Sequence, residues 1–282
     1  MADTRENYEA AKRLLSGAKR VLISGHLSPD GDSLGSMIAL AKLLNNAGYE
    51  ACATADVNAL GKPGFLAGAE KLIPVRKLRH RKFDLFVAVD CSGFGRMPPE
   101  VRPVAEGLPS ICIDHHMTND GTFGDAQIVD PEASSAGELV WRFAKWMEWK
   151  LDAEIAEALW VAMITDTGRF AYDSTRPRTL RAAGDILKHG VRTAFINDII
   201  YGSFSRKAIE LKRLASSSGS PDAPFIISEY SRRYKSSASS SVITAASEGI
   251  PASAGCSDKT MLQNESIVPM KQRSISLRAF SA

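Results

Sequence analysis

The stretch that decides the fold is His26-Leu-Ser-Pro-Asp30-Gly-Asp32-Ser-Leu-Gly35. It follows the apolar run Arg20 to Gly25 and precedes a long segment of apolar periodicity, Ser33 to Asn46. This order predicts a strand, a tight loop and a helix. The loop holds one imidazole and two carboxylates. At the carboxyl end of a strand, such ligands suit a hard or borderline divalent cation such as Mn²⁺ or Mg²⁺.

The same loop predicts how the helix begins. Asp32 or Ser33 can cap the first turn, because a side-chain oxygen at that point accepts a backbone N–H. Gly31 permits a turn that would separate the carboxylates of Asp30 and Asp32. The two acids would then reach different positions.

Three further runs predict strands of a parallel sheet. Asp84 to Asp90 and Pro109 to Asp114 are nearly continuous apolar runs, as in strands that are buried on both faces, and Ala126 to Val129 follows them. Asp90 and Asp114 stand at the carboxyl ends of their runs, the edge at which ligands bind in open α/β sheets. We therefore predict an α/β fold, a parallel β-sheet flanked by helices, with a site at that edge.

Apolar periodicity and capping residues predict the remaining elements. On the helix that opens at Arg176-Pro177, we expect Leu180, Ala183 and Leu187 to face inward. The predictions comprise a strand over 50–55 and helices over 4–16, 33–46, 65–72, 134–149, 153–165, 176–189, 193–201 and 205–214.

Three further places in the sequence carry the same residue types as the first loop, namely Asp90, Asp114-His115-His116 and Asp166. Clustered carboxylates repel one another and cost stability unless a cation neutralises them. Asp166 ends a predicted helix, where the helix dipole disfavours a carboxylate. Adjacent histidines point in different directions, so one can face a metal and the other a substrate, while Asp114 fixes an imidazole tautomer.

Each residue alone carries a weak signal. A lone histidine after a strand is more often a hydrogen-bonding residue than a ligand, Asp-Gly is a turn dipeptide, and Asp90 could be an N-cap. His80 lies in the basic segment Arg76 to Lys82, for which a solvated loop is a better interpretation than a phosphate-binding patch. His189, beside Gly190, indicates a helix end.

The composition is that of an ordinary globular protein, with 44% hydrophobic and 24% charged residues. The N-terminus is polar, and no apolar run reaches the roughly 18 residues that a membrane span needs. The four cysteines form no C-x-x-C pair, and Cys52, Cys91 and Cys112 lie in or beside apolar runs. We therefore expect a cytoplasmic protein with buried, reduced thiols and no membrane partner.

The C-terminal part differs in composition. From Ser205 onward there are 11 Lys and Arg against 6 Asp and Glu, whereas the preceding residues carry 24 against 26. Between Ser216 and Ser257, 14 of 42 residues are serine. We predict a catalytic domain over 1–204, a connector helix over 205–215 and a disordered or poorly packed segment over 216–282.

Together the motifs resemble those of a known family. His26-x-x-x-Asp30-x-Asp32, Asp90, Asp114-His115-His116 and Asp166-Thr-Gly168 are similar to the four signature motifs of the DHH phosphoesterase superfamily. Over about residues 5–214 the chain most resembles the oligoribonuclease/3′-phosphoadenosine 5′-phosphate phosphatase type. The resemblance implies manganese-dependent hydrolysis of a short single-stranded oligonucleotide or a nucleoside bisphosphate, and it is compatible with a homodimer.

The resemblance also implies residue roles. His116 would touch the scissile phosphate, and Asp114 would support the histidines. Two Mn²⁺ ions, or Mg²⁺ in their place, would activate a water for in-line displacement. The ligand sets share one carboxylate: His26, Asp30 and Asp90 for one ion, and Asp32, Asp90, His115 and Asp166 for the other.

One departure from the family pattern keeps further functions open. Members of this type continue into a second, DHH-associated domain with a Gly-Gly-Gly-His-like motif, which this sequence lacks, so we expect that domain to be absent or degenerate. A catalytically impaired nucleotide- or metal-binding module is therefore one of these functions. Also open are a manganese inorganic pyrophosphatase, whose Ser-Arg-Lys motif Ser205-Arg-Lys207 superficially matches, a cyclic-dinucleotide phosphodiesterase and a RecJ-type exonuclease.

Overall fold

The computed structural model describes residues 4–202 of the 282-residue chain. The predicted connector helix over 205–215 and the serine-rich segment over 216–282 lie outside the described residues. Within them the structure is a parallel sheet covered by helices, which confirms the predicted fold class.

The sheet has six strands in the order β3-β2-β1-β4-β5-β6, and every neighbouring pair is parallel. The short edge strand β3 was not predicted, since two residues carry no periodicity. The strands are β1 Arg20–Ser24, β2 Glu50–Ala55, β3 Ile73–Pro74, β4 Leu85–Val89, β5 Ser110–Asp114 and β6 Ala126–Val129.

The register of the central strands brings their carboxyl ends together. Ser24 of β1 lies opposite Ala88 of β4, and Val89 of β4 lies opposite Ile113 of β5. The residues that follow these strands therefore meet at one edge of the sheet. All five residues of β4 are buried, as its continuous apolar run predicts.

Seven α-helices are present among the described residues, most of them where apolar periodicity predicts them. The predicted helix over 65–72 is instead a pair of 3₁₀ turns, Lys62–Phe65 and Ala69–Lys71. The predicted helix over 193–201 is a short α-helix followed by a π-turn, Asp198–Gly202. The helices are α1 Thr4–Ser16, α2 Gly31–Asn46, α3 Arg102–Ala105, α4 Ala136–Trp146, α5 Ala153–Asp166, α6 Pro177–Leu187 and α7 Thr193–Asn197.

The core lies on both faces of the sheet. One face packs against α1, α2, α4 and α5, where Ile23 and Val87 are buried in the larger apolar cluster. The opposite face buries Leu22 and Phe86 under a thinner layer. That layer includes Leu78, the one fully buried side chain of the 3₁₀ helix Val75–His80. The cations around Leu78 are exposed, in keeping with a solvated segment.

The inward face predicted for α6 is confirmed for Ala183, which is 5% exposed, but is wrong for Leu180 and Leu187. Leu180 and Leu187 are 53% and 41% exposed, whereas Ala182 and Ile186 are buried. The helix is rotated from the predicted face because small residues line its contact with the core, and because the Thr179 hydroxyl bonds to a buried carboxylate of α4. Leucine periodicity alone could not show this. No helix among residues 4–202 has the length and apolarity that a membrane crossing needs.

Candidate metal centre

The loop after β1 presents His26 and Asp30 at the carboxyl edge. Asp30 is the N-cap of α2, and its Oδ1 accepts the Ser33 N–H at 3.0 Å. The prediction that Asp32 or Ser33 caps this helix is therefore wrong by two or three residues. The His26 Nε2 atom lies 3.9 Å from Asp30 Oδ1 and 3.4 Å from Asp90 Oδ2.

Asp90 occupies the middle of the cluster. It follows β4 with φ +58°, a left-handed conformation that only a few per cent of non-glycine residues adopt. Its N–H donates to the Ile113 carbonyl at 2.8 Å, which fixes this turn. Oδ2 faces His26, while Oδ1 lies 3.5 Å from His115 Nε2 and has no hydrogen-bond partner although it is buried. Because His116 Nδ1 also lies 3.5 Å from Oδ1, one oxygen of this carboxylate faces His26 and the other faces His115 and His116.

Asp32 is fully buried on the first turn of α2. Its Oδ2 accepts the Ala136 N–H at 2.7 Å, and its Oδ1 accepts the Gly137 N–H at 2.9 Å and the Ser36 hydroxyl at 3.0 Å. Burial, together with the nearby carboxylates, raises the pKa of Asp32 well above its usual value. A charged Asp32 therefore requires a compensating cation nearby.

His115 connects Asp32 to the end of α5. Its Nε2 lies 3.1 Å from Asp166 Oδ2 and 3.5 Å from Asp32 Oδ2. Burial lowers the pKa of His115, but hydrogen bonds to Asp166 and Asp90 outweigh burial and raise the pKa to about 11. For His26, burial is likewise outweighed by Asp30 and Asp90, and the pKa rises to about 9. In this arrangement imidazolium charge balances the carboxylates, a role that a metal ion can take over.

His116 is held differently from His115. Its Nδ1 lies 2.6 Å from Asp114 Oδ1, and this hydrogen bond is the main reason that the pKa of His116 is raised. The second oxygen of the buried Asp114 accepts the Asn119 Nδ2–H at 2.8 Å. Asn119 fixes the carboxylate that orients His116, and its place five residues after Asp114 on a loop gave no sequence signal.

The start of α4 was also missed as part of the site. The pattern Ser134-Ser135-x-x-Glu138 indicates an N-terminus, and Ser135 is the N-cap. A helix start offers free N–H groups to an anion, but no local signal shows that Asp32, more than 100 residues away in the sequence, receives them.

The eight side chains proposed from sequence lie together at one edge of the sheet. Within each of three groups, one ligand atom per residue lies within 4.8 Å of the others. The donor set of carboxylate oxygens and imidazole nitrogens, with the unbonded Asp90 Oδ1 between them, fits divalent cations. The groups are His26, Asp30 and Asp90; Asp32, His115 and Asp166; and Asp90, His115 and His116.

The first group has the same residues as one of the ligand sets that the four motifs imply. The second group contains three of the four residues implied for the other ion and lacks Asp90. Comparison with known proteins identifies the same family that the motifs resemble. Residues 20–163 match the model of the DHH family, N-terminal domain. The chain belongs to the DHH family. The match covers about half of this DHH protein and includes every proposed site residue except Asp166.

Two curated relatives of the DHH protein share a name. The DHH protein is 34% identical over 182 residues to the bifunctional oligoribonuclease and PAP phosphatase NrnA of Thermus thermophilus. The alignment covers 63% of this chain and 52% of that protein. The DHH protein is 24% identical over 192 residues to the Bacillus subtilis protein of the same name, covering 67% and 59%. The chain thus spans little more than half the length of the curated relatives it matches.

A solved structure gives the same fold. The DHH protein superposes on the crystal structure of an exopolyphosphatase-related protein from Bacteroides fragilis with a TM-score of 0.69. The superposition covers 76% of this chain and 65% of that one, at 24% sequence identity. At this identity the likeness shows the fold alone.

Proposed function

We propose that the chain is a two-metal phosphoesterase that hydrolyses short oligonucleotides, 3′-phosphoadenosine 5′-phosphate or both, with Mn²⁺ as its metal. The observation that carries the proposal is the position of Asp90. One of its oxygens lies 3.4 Å from His26 Nε2 and the other 3.5 Å from His115 Nε2. A carboxylate placed in this way is suited to serve two ions at once.

The residues divide into two ligand sets. Carboxylates suit Mg²⁺ and Mn²⁺, while imidazole suits softer ions, so a mixed set favours Mn²⁺ over Mg²⁺. Bound in pairs, such cations supply a water of lowered pKa and offset the charge on the attacking and leaving oxygens. His26, Asp30 and Asp90 would hold one ion, and Asp32, Asp90, His115 and Asp166 the other.

His116 has a separate task in this proposal. Asp114 accepts a hydrogen bond from Nδ1 and raises the pKa of the imidazole, which favours the form that carries a proton on both nitrogens. His116 is 30% exposed, more than His115 at 15%, and can reach a substrate. Its Nε2–H would bind a phosphate oxygen and donate its proton to the leaving oxygen.

The substrate class rests on the relatives. Two proteins that match 63% and 67% of this chain are named bifunctional oligoribonuclease and PAP phosphatase. Because the chain spans little more than half their length, turnover is a separate question from metal binding. A metal- or nucleotide-binding module without turnover is the second candidate, since the sequence carries no Gly-Gly-Gly-His-like motif. A cytoplasmic location and a homodimeric state stay predictions.

The test is a parallel assay of the full chain with Mn²⁺. The substrates are a dinucleotide, 3′-phosphoadenosine 5′-phosphate, inorganic pyrophosphate and a cyclic dinucleotide, with Mg²⁺ and a chelator as comparison conditions. We expect product from the dinucleotide, the bisphosphate or both, and none with the chelator. An Asp166→Asn variant serves as the matched control, because it removes one ligand charge and should lose most of the activity.

The remaining outcomes decide between the candidate functions. Release from pyrophosphate alone would identify a pyrophosphatase, and release from the cyclic dinucleotide alone a cyclic-dinucleotide phosphodiesterase. Mn²⁺ binding without release from any substrate would identify a binding module. Absence of Mn²⁺ binding would overturn the proposal as a whole.

A further inference from the structure

We propose that Glu138 is a positioning residue for the metal centre: it fixes the start of α4, whose first amides hold the Asp32 carboxylate. The metal-binding part of this inference rests on the proposed function. The structural part does not, because it concerns contacts between α4, α6 and Asp32.

The first step is the contact between α4 and Asp32. The amides of Ala136 and Gly137 are the first two of the helix and have no partner within it. Both donate to the Asp32 carboxylate, at 2.7 and 2.9 Å. Two charge-assisted hydrogen bonds at the positive end of a helix fix the orientation of this carboxylate. The orientation of Asp32 therefore depends on where α4 begins.

The second step is that Glu138 determines where α4 begins. Glu138 is fully buried, and its Oε2 accepts the Ser134 N–H at 3.1 Å and the Ser134 hydroxyl at 2.8 Å. The same oxygen accepts the Thr179 hydroxyl of α6 at 2.8 Å. The Glu138 N–H donates to the Ser135 hydroxyl at 3.1 Å. One side chain thus joins the loop before α4, the first turn of α4 and the start of α6.

The charge of Glu138 is part of this arrangement. The Arg178 Nε atom lies 3.3 Å from Glu138 Oε1, the oxygen that Ser134 and Thr179 do not use. A buried ion pair adds little stability over an apolar pair of similar size, because desolvation costs about as much as the attraction returns. Neither Arg178 Nε nor Glu138 Oε1 forms a hydrogen bond, so the contact contributes charge attraction, and the hydrogen bonds to Oε2 fix the position of the side chain.

The third step is that the start of α4 is tightly packed against α5 and Asp32. A Cβ atom added to Gly137 would lie 2.5 Å from Ala162 Cβ of α5 and 3.5 Å from Asp32 Oδ1. A small displacement of this turn therefore changes both hydrogen bonds to Asp32. Substitutions of residues that orient metal ligands typically cost 10–100-fold in metal affinity.

The experiment compares Glu138→Gln with Glu157→Gln in the full chain. Glu157 is also buried, at 6% exposure, and is bound to Arg192, but it lies nine residues before Asp166, about 13 Å along α5. It is therefore a matched control for loss of a buried glutamate. Calorimetry measures Mn²⁺ binding, and NMR measures hydrogen exchange of the Ala136 and Gly137 amides in metal-free protein.

For Glu138→Gln we expect a roughly 10–100-fold loss of affinity at one of two Mn²⁺ sites, with the other unchanged. We also expect faster exchange at Ala136 and Gly137. Glu157→Gln should change neither measurement. Glu138→Asp keeps the charge but withdraws the oxygens by one methylene, and we expect the same selective loss from it.

Several results would overturn the inference. They are unchanged affinity and exchange in Glu138→Gln, an equal loss in Glu157→Gln, and wild-type behaviour of Glu138→Asp, which would assign the effect to charge and not to position. Absence of Mn²⁺ binding in the wild type would overturn the proposed function together with the metal-binding part. Faster exchange confined to the Glu138 variants would then still support the structural part.

Discussion

Gly31 and Thr165 approach each other so closely that a side chain at position 31 would collide. A Cβ atom there would lie 2.5 Å from Thr165 Oγ1 and 2.8 Å from Thr165 Cβ. Gly31 is the first residue of α2 and has no positive φ, so the turn that the sequence suggested is not its role. It allows the start of α2 to pack on the end of α5, which brings Asp30 and Asp32 near Asp166.

Gly35 extends the same close approach by one helical turn. A Cβ atom at Gly35 would overlap the carbonyl oxygen of Ala158 and lie 3.1 Å from the Ala162 amide nitrogen. Both are backbone atoms, which cannot rotate away as a side chain can. The two glycines of the first motif therefore serve helix packing as well as the site.

The first prediction concerns these glycines. Gly31→Ala and Gly35→Ala should each lower the free energy of unfolding by about 1–3 kcal/mol, because overpacking forces the helices apart. Gly35→Ala should cost more, since its collision is with backbone. Gly184→Ala is the control, because Gly184 is exposed on α6 with nothing within 4 Å of an added Cβ. It should gain about 0.5–1 kcal/mol from helix propensity.

Urea denaturation of the three variants measures these differences. Equal stabilities of Gly35→Ala and Gly184→Ala would contradict the close packing of α2 on α5. A loss in Gly31→Ala that Thr165→Ala partly relieves would identify the colliding side chain.

The second prediction concerns the Asp90 carboxylate, which both proposed ligand sets share. Asp90→Asn should abolish tight Mn²⁺ binding at both sites, because each proposed ligand set includes Asp90. Asparagine is the suitable substitution, since after glycine it is among the residues that best tolerate the left-handed φ of +58°. Calorimetry on metal-free protein measures the result. Two tight sites in the variant would show that Asp90 is not shared.

Asp185→Asn is the control for this variant. Asp185 lies on α6, where it is paired with Lys145 and Lys188 and takes no part in the metal centre. Its replacement should leave the binding of both ions unchanged, so a general effect of removing an acidic charge can be recognised.

The sequence predicted the carboxyl edge of the sheet and the residues that meet there. Asp90 and Asp114 were placed correctly because continuous apolar runs report burial, and parallel strands bring their ends to one edge. The predicted burial of Leu180 and Leu187 on α6 was wrong, because Thr179 turns inward to reach Glu138 and not to bury apolar surface. The contact of Asp32 with α4 was not predicted either. Hydrogen bonds between residues that are distant in the chain produce no pattern in the local sequence.

The third prediction concerns thiol reactivity. Burial raises the pKa of Cys112 to about 12 and also raises the pKa of Cys91, so neither forms much thiolate near neutral pH. Cys52 is partly exposed, contrary to the expectation from sequence that all three are buried, and its Sγ lies 3.8 Å from Arg81. Iodoacetamide at about pH 8 should alkylate Cys52 at least about tenfold faster than the other two.

Mass spectrometry of the separate peptides measures the three rates. In concentrated urea, which exposes all of the thiols, the rates should become similar. Comparable labelling of Cys112 and Cys52 in the folded protein would contradict the burial of the β5 thiol.

The last prediction concerns pH and the ion pair between Glu157 and Arg192. The hydrogen bond from Arg192 at 2.6 Å lowers the pKa of Glu157 below its unfolded value, although burial opposes this shift. A lowered pKa in the folded state contributes stability above the unfolded pKa of about 4.3, which is lost as the pH falls through the folded value. Arg192 is 61% exposed, so solvent screening limits the contribution to about 1 kcal/mol.

Glu157→Gln should therefore be less stable than the wild type by about this amount near pH 7, and the difference should shrink as the pH falls below about 4. Urea denaturation over this range of pH measures the free energy of unfolding of both proteins. Arg192→Gln should reproduce the effect, because either substitution removes the same pair. A difference that stays constant on acidification would show that Glu157 contributes through packing and not through its charge.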